Sequence, residues 1–183
     1  SNGKTIIAVQ AGEEKLEVVV TVKQMEQGNG TRFTWHVIPM LNRSGCTGGG
    51  CHASQFGQAG FKLSLFGFAP EQDYPEIADD RFGRRINLIE PDESLLLLKP
   101  SLQLAHGGGR RFTKDSFEYQ VLRSWIADDT PAMIKADAKL LDLKLYPQMR
   151  VFTPGQTQQV RAEAIYDDGT HRDVTAFSMF DCE

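Results

Sequence analysis

The sequence predicts an α+β chain, a helical centre between two β segments. Three observations lead there. Short runs rich in β-branched residues lie near both ends. Apolar residues at helical spacing occur only between them. The longest glycine-containing loops fall inside that central part.

In chain order, residues 5–10 (TIIAVQ) and 16–22 (LEVVVTV) read as strands joined through Ala11-Gly12-Glu13-Glu14, a hairpin. Gln24–Gly30 reads as a linker. Thr31–Asn42 spaces Phe33, Val37, Met40 and Leu41 as one helix face. Thr31 is its expected N-cap, and Pro39 is expected to end or kink it. Phe61–Leu65 and the stretch to Pro91 read as irregular. Asp92–Lys99 is expected to open a helix at Asp92. Residues His106–Arg111 form a loop. Ser116–Ala127 is a helix capped by Ser116, with Phe117, Val121, Leu122, Trp125 and Ile126 on its apolar face. Thr130–Ala138 reads as a second linker. Strand patterns return at Leu140–Leu145, Gln158–Tyr166 and Val174–Phe180, with Asp167-Asp168-Gly169-Thr170 as a turn. The expected parts are residues 1–27, 30–135 and 138–183.

The bulk properties narrow the function. With 183 residues the chain is long enough for one domain or two small ones. A 40% hydrophobic and 24% charged composition is that of globular material. A net charge of −4 argues against a nucleic-acid partner. Even the longest apolar runs, such as Leu95–Leu98, are far too short for a membrane span. Ser1-Asn2-Gly3 leads straight into a strand pattern with no signal peptide in view, so the chain is expected to be a piece of a larger multidomain protein.

The chemistry concentrates in "SGCTGGGCHAS", residues 44–54. Cys46 and Cys51 are separated by Thr47, Gly48, Gly49 and Gly50, and His52 follows directly. Two cysteines with an adjacent histidine suit covalent haem attachment, whose usual spacing is Cys-x-x-Cys-His; Cys-x4-Cys-His is a spacing variant. His52 would then be the proximal iron ligand. The three glycines are expected to fold the longer loop tightly through positive φ. Two other readings stand beside this one. Cys46 and Cys51 could form a disulfide, which gives His52 no role. Cys46, Cys51 and His52 could hold zinc with a further ligand, but no second cysteine pair is present. Cys182, the remaining cysteine, stands one residue from the end.

The surrounding motifs resemble a family. "FTWHVIPMLNRSGCTGGGCHASQFGQAGFKLSLFGFAPEQDYPEI", "GRRINLIEPDESLLLLKP", "AHGGGRRF" and "YQVLRSWI" follow one another as in the cytochrome c-like domain of large planctomycete surface or periplasmic proteins. The resemblance covers about residues 31–130. Ala53 departs from it, since the family often has glycine there. The flanks resemble partial bacterial Ig-like domains of group 2: residues 3–22 its closing strands, and residues 140–180, with "TPGQTQQVRAEAIYDDGTHRDVTAFSMF", its opening strands. The two ends are expected to pair into one partial sandwich.

The resemblance implies a monohaem c-type cytochrome domain with haem c bound through Cys46 and Cys51. It implies electron transfer to a redox partner protein, and a periplasmic or cell-surface location. His106 occupies the place where related domains carry a methionine in a Met-Pro-Pro loop, so it is the expected sixth ligand, with Met40, His36 and Met133 behind it. Arg110 and Arg111, and beside them Arg84 and Arg85, are candidates to pair with the haem propionates. Phe61, Leu63, Leu96 and Trp125 are candidate walls. A sensor with an open sixth site, and a structural or adhesion module built on zinc or a disulfide, are the other function classes. Asp79 and Asp80 read as a solvated turn, His171 as unrelated to iron, and no residue as a catalytic acid, base or nucleophile.

Overall fold

The computed structural model describes residues 3–22, 30–132 and 137–181. Met133 and Cys182, and most of the linker expected at 24–30, lie outside the described residues. The architecture is mixed α and β, in two compact units, residues 1–30 and 31–183.

In the first unit, β1 (Gly3–Ala11) and β2 (Glu14–Val22) form an antiparallel hairpin. Gly12, at φ +63°, supplies the left-handed residue of its two-residue turn. Ile7 pairs with Val18 and Val9 with Leu16, so one face is apolar. Gln10, Lys15 and Glu17 fall on the other, as period-two alternation requires.

The second unit opens with a wide π-type turn, Phe33–Val37, that runs into α1 (Ile38–Arg43). Pro39 neither ends nor breaks this helix. It has no N–H to give, and the turn before it widens instead, with the Val37 N–H reaching Arg32 O at 3.3 Å. The N-cap is Arg32, not Thr31, and no side chain caps it.

Two helices arise where an irregular stretch was expected: α2 (Pro70–Ala78) and α3 (Asp80–Gly83). The buried residues of α2 are Asp73 and Ile77, so a carboxylate sits where periodicity looks for an apolar side chain. Asp73 accepts bonds from the Ser64 N–H and hydroxyl, both at 2.6 Å. Pro70 in the first turn, followed by Glu71 and Asp73, is the start signal that reveals this helix. α3 is a distorted turn in which Arg81 and Phe82 both have positive φ.

α4 (Leu95–Leu98) starts from Ser94, not Asp92. Asp92 accepts instead from the Tyr119 hydroxyl at 2.7 Å and from Arg123 at 2.9 Å. α5 (Phe117–Ala127) is capped as expected, with the Ser116 hydroxyl accepting from the Tyr119 N–H at 3.3 Å. Its buried face is Tyr119, Leu122, Trp125 and Ile126, whereas Phe117 stays exposed. These residues meet Phe33, Val37, Leu41, Ile77 and Leu97 in one core. Phe33 lies 5.5 Å from Trp125 and edge-on to Tyr74 at 5.2 Å.

β3 (Leu140–Tyr146), β4 (Arg161–Tyr166) and β5 (His171–Asp173) form a three-stranded antiparallel sheet in that order. Strand pairing stays within each end of the chain, so no sheet is shared between the two flanks among the described residues. The turn falls at 167–170 as expected, but the return strand follows it at once. Val174–Phe180 is not a strand: Asp173 accepts from the Thr175 N–H at 2.9 Å, which closes β5 and starts a helical turn at Thr175–Phe177. The sheet packs on the helices within the unit. Trp35 lies 5.5 Å from Tyr166, and the Arg172 guanidinium sits 4.0 Å over Trp35.

Removing the cap with Ser116→Ala is expected to cost about 1 kcal/mol, and Leu122→Ala about 2–5 kcal/mol through the cavity it leaves. Phe82→Ala, at an exposed side chain, should stay within about 0.5 kcal/mol. Urea unfolding of the three variants measures this ranking.

Candidate functional site

The cysteine loop folds back on itself through its backbone. The Cys46 N–H donates to Leu41 O at 2.9 Å, continuing from the end of α1. The Cys51 N–H donates to Gly48 O at 2.9 Å, and the His52 N–H to Cys46 O at 3.1 Å. Thr47 is almost fully buried; its hydroxyl donates to the Asn42 side-chain oxygen, and its carbonyl accepts from the Phe66 N–H at 3.1 Å. The left-handed residue of the loop is Gly45, at φ +73°, and not the run Gly48–Gly50.

Cys46 and Cys51 are both free thiols. Burial raises the Cys46 thiol to about 11, against a lowering pull from Arg111. Cys51 is half-buried, and the Arg111 guanidinium donates to its sulfur at 3.2 Å.

His52 and His106 come together. Their ring centres are 6.2 Å apart and their planes 13° from parallel. Each ring is oriented by a backbone carbonyl on its Nδ1: Phe61 O at 3.1 Å for His52, and Gly109 O at 2.8 Å for His106. A carbonyl can only accept, so both Nδ1 atoms carry the proton, and both Nε2 atoms keep a lone pair. That is the tautomer in which paired histidines ligate a metal. A metal bound to both rings through bonds of about 2 Å, with roughly 1.1 Å from ring centre to nitrogen in a ring of ~1.33 Å bonds, needs a centre-to-centre span of about 6 Å.

Both rings line one cavity of about 440 Å³, within the ~300–1,000 Å³ of small-molecule pockets. Leu41, Phe61, Leu95, Leu96 and Pro100 supply apolar wall. Cys46 and Cys51 reach it from the loop. Arg81, Arg84, Arg85, Lys99 and Arg111 also line it, and among the described residues no carboxylate does.

The other expectations fall out differently. Leu63 and Trp125 are core residues away from the cavity; the Trp125 indole donates to Pro131 O at 3.1 Å. Arg110 is exposed and off the lining, whereas Arg84, Arg85 and Arg111 are on it. Met40 is fully buried in the core. His36 uses its Nδ1 to accept from the Arg32 N–H at 2.8 Å and packs on Phe177. Neither reaches the cavity. Among the described residues, no three His, Cys, Asp or Glu side chains gather as a metal-holding group. A haem iron asks the protein for only two ligands, because the porphyrin fills the rest. Asp80 is not an acid–base pair member: it bonds Arg85 at 2.8 Å, which holds its carboxyl below the usual range.

Sequence reasoning missed several contributors, Leu41, Leu95 and Pro100 of the wall among them. Arg81 stands outside the quoted motifs, and Lys99 is the penultimate residue of "GRRINLIEPDESLLLLKP" with no site role read for it; the fold brings both to the cavity. Gly57, at φ +68°, lets the 57–61 turn close: a Cβ there would run into the Phe61 carbonyl that orients His52. A Cβ on Gly108 would sit 2.8 Å from His106 Cε1. Glycine enrichment was visible at 107–109, but the partner of each glycine was not.

Burial lowers both His36 and His52 below their ordinary 6.5. A histidine whose folded pKa is lowered stabilises the fold fully above its unfolded pKa. That stability is lost as pH falls from about 6.5 through the lowered folded value. The urea midpoint is therefore expected to drop as pH falls below about 6.5, before the range in which Asp80 and Asp92, both lowered from 3.8, titrate. Gly57→Ala should displace Phe61 O and lower the His52 pKa further, read by NMR titration of the imidazole. No family model, no curated protein and no solved structure matches the chain.

Proposed function

We propose that the helical part of the chain is a monohaem c-type cytochrome domain that transfers electrons. The observation that carries this reading is the His52–His106 pair, 6.2 Å apart, with both Nδ1 atoms bound to carbonyls and both Nε2 atoms left for a metal. Haem c, when bound, supplies reversible one-electron chemistry at iron.

The residues of this chain have separable roles. Cys46 and Cys51 are the attachment points, and the 46–52 loop holds them beside His52. Phe61 O and Gly109 O fix the two imidazoles, so ligation costs little reorganisation. Leu41, Phe61, Leu95 and Leu96 exclude water and lower the local dielectric. Arg84 and Arg111 meet no acid among the described residues and match the propionate carboxylates in charge and shape. Two histidines, rather than histidine and methionine, favour a low reduction potential.

No general acid, base or nucleophile is assigned. Thioether attachment places the domain outside the cytoplasm, in a periplasmic or cell-surface protein, with a redox protein as partner. The hairpin at 3–22 and the sheet at 140–173 are read as Ig-like segments of the parent chain.

Visible spectra of protein produced with haem-attachment machinery test the reading. The expected result is sharp low-spin α and β bands in the dithionite-reduced state that survive acid-acetone extraction. His106→Ala should turn the spectrum high-spin, and Cys46→Ala with Cys51→Ala should release the haem to extraction. A wild-type spectrum already high-spin selects the sensor reading. A colourless protein ends the cytochrome reading and brings the disulfide or zinc module forward.

A further inference from the structure

We propose that the free edge of β3 is a dimerisation surface, on which β3 of a second copy of this chain pairs antiparallel about Leu143. The inference is independent of the haem reading.

β3 is an edge strand, since the sheet order is β3-β4-β5. Which of its backbone groups are free follows from β4. The Ala162 N–H donates to the Thr175 hydroxyl at 2.9 Å, and its carbonyl accepts from the Val174 N–H at 2.9 Å, so Ala162 turns away from β3. Neighbours in an antiparallel ladder turn opposite ways. Arg161, Glu163 and Ile165 therefore bond β3, where they stand opposite Tyr146, Lys144 and Asp142. The backbone groups of Leu143 and Leu145 are left pointing outward. The Leu143 N–H meets the carboxylate of its own neighbour, Asp142, at 2.8 Å, and among the described residues no further backbone bond closes this edge. Leu140, Leu141, Leu143 and Leu145 are exposed along it. An open edge with exposed leucines is a template for another strand.

The charges select the occupant and the register. Outward groups must meet outward groups, so a two-fold axis between two copies passes through one residue. An axis at Asp142 or at Lys144 sets like charges opposite each other, which destabilises the pair. An axis at Leu145 opposes Leu143 to Pro147, which has no N–H to give. An axis at Leu143 sets Asp142 of each copy opposite Lys144 of the other, and makes the two Leu143 residues the hydrogen-bonded pair. Neither Asp142 nor Lys144 has an ion-pair partner among the described residues. The bulge between Leu140 and Asp142 confines regular pairing to the middle of the strand, so the interface is small and the dimer reversible. Growth stops at two copies, because the pairing is isologous and the other edge, β5, is three residues long.

The test is the oligomeric state of the full chain by sedimentation velocity, from about 1 μM to about 300 μM, the range of weak interfaces. The expected result is a reversible monomer–dimer equilibrium, with the Leu143 and Leu145 amides exchanging with solvent several-fold more slowly at the top of the range. Asp142→Lys and Lys144→Asp each put like charges opposite and should each be monomeric, with unchanged far-UV circular dichroism because both side chains are exposed. An equimolar mixture of these two variants restores opposite charges on both pairs, and native mass spectrometry should find dimers of one of each. That rescue also shows that both variants are folded. A wild type monomeric throughout, single variants that dimerise as the wild type does, a mixture that stays monomeric, or assemblies larger than two would overturn the proposal.

Discussion

The structure of the site depends on His52 being held by its backbone and its ring together. Its N–H closes the loop onto Cys46 O, its carbonyl accepts from the Leu63 N–H at 2.9 Å, and its Nδ1 donates to Phe61 O. Three bonds from one residue tie together the end of α1, the cysteine loop and the 57–63 turn. None of them uses Nε2. A histidine merely filling space would be free to turn over, whereas this one has a fixed tautomer and a free lone pair. The second ring is fixed the same way by a different element, the 106–109 turn. The Arg111 N–H anchors that turn to Pro100 O at 2.7 Å. Two independent turns thus present two imidazoles with matching chemistry.

Charge is arranged in layers around this pair. Arg85 lies 4.2 Å over the Phe61 ring, and its guanidinium is bonded to Glu76 O and to Asp80. Phe61 in turn packs on His52 at 4.5 Å and orients it. Asp80 therefore steadies the cavity wall without entering it. Keeping the carboxylate outside leaves the interior positive, which favours an anionic occupant and disfavours protonated imidazole. The lowered His52 pKa has burial as its main cause, with His106, Arg85 and Arg111 adding to it. The same burial keeps the Cys46 thiol protonated, while Arg111 stands at the more accessible Cys51 sulfur. The two cysteines thus differ in burial and in neighbours.

Much of this was legible in the sequence, and what was not has identifiable causes. Cys46, Cys51 and His52 are neighbours in the chain, so their grouping could be read directly. The α5 helix was readable because Ser116 and the 3.6-residue period agree. α2 was hidden because Asp73 occupies a buried position, and its reason lies in Ser64, a tertiary partner. The end of β5 was hidden because the Asp173–Thr175 bond overrides the β propensity of the following residues. Arg81 reaches the cavity from a distorted turn with no distinguishing pattern, and Lys99 from a recognised stretch whose direction in space the sequence does not give. Trp125 was a candidate wall on the apolar face of α5, but that face turns into the core, where its indole N–H donates to Pro131 O. Local signals identified residues, whereas placement needed long-range contacts.

The C-terminal sheet has a mechanical place in this arrangement. Arg172 lies between Trp35 and Tyr166, 4.0 Å and 4.7 Å from the ring centres. Phe177 packs on His36 at 5.1 Å and on Phe117 at 5.4 Å. Trp35 and His36 belong to the widened turn that starts α1, and α1 ends at the cysteine loop. Arg43, at the last turn of α1, bonds Ala176 O at 2.8 Å and pairs with Glu118 of α5 at 3.1 Å. The sheet holds the turn that starts α1, and the helical turn after β5, with α5, holds its last turn. Such a helix, six residues long, has little stability of its own. Its position is set by what packs on it, the sheet and the turn after β5 on one side and α5 on the other.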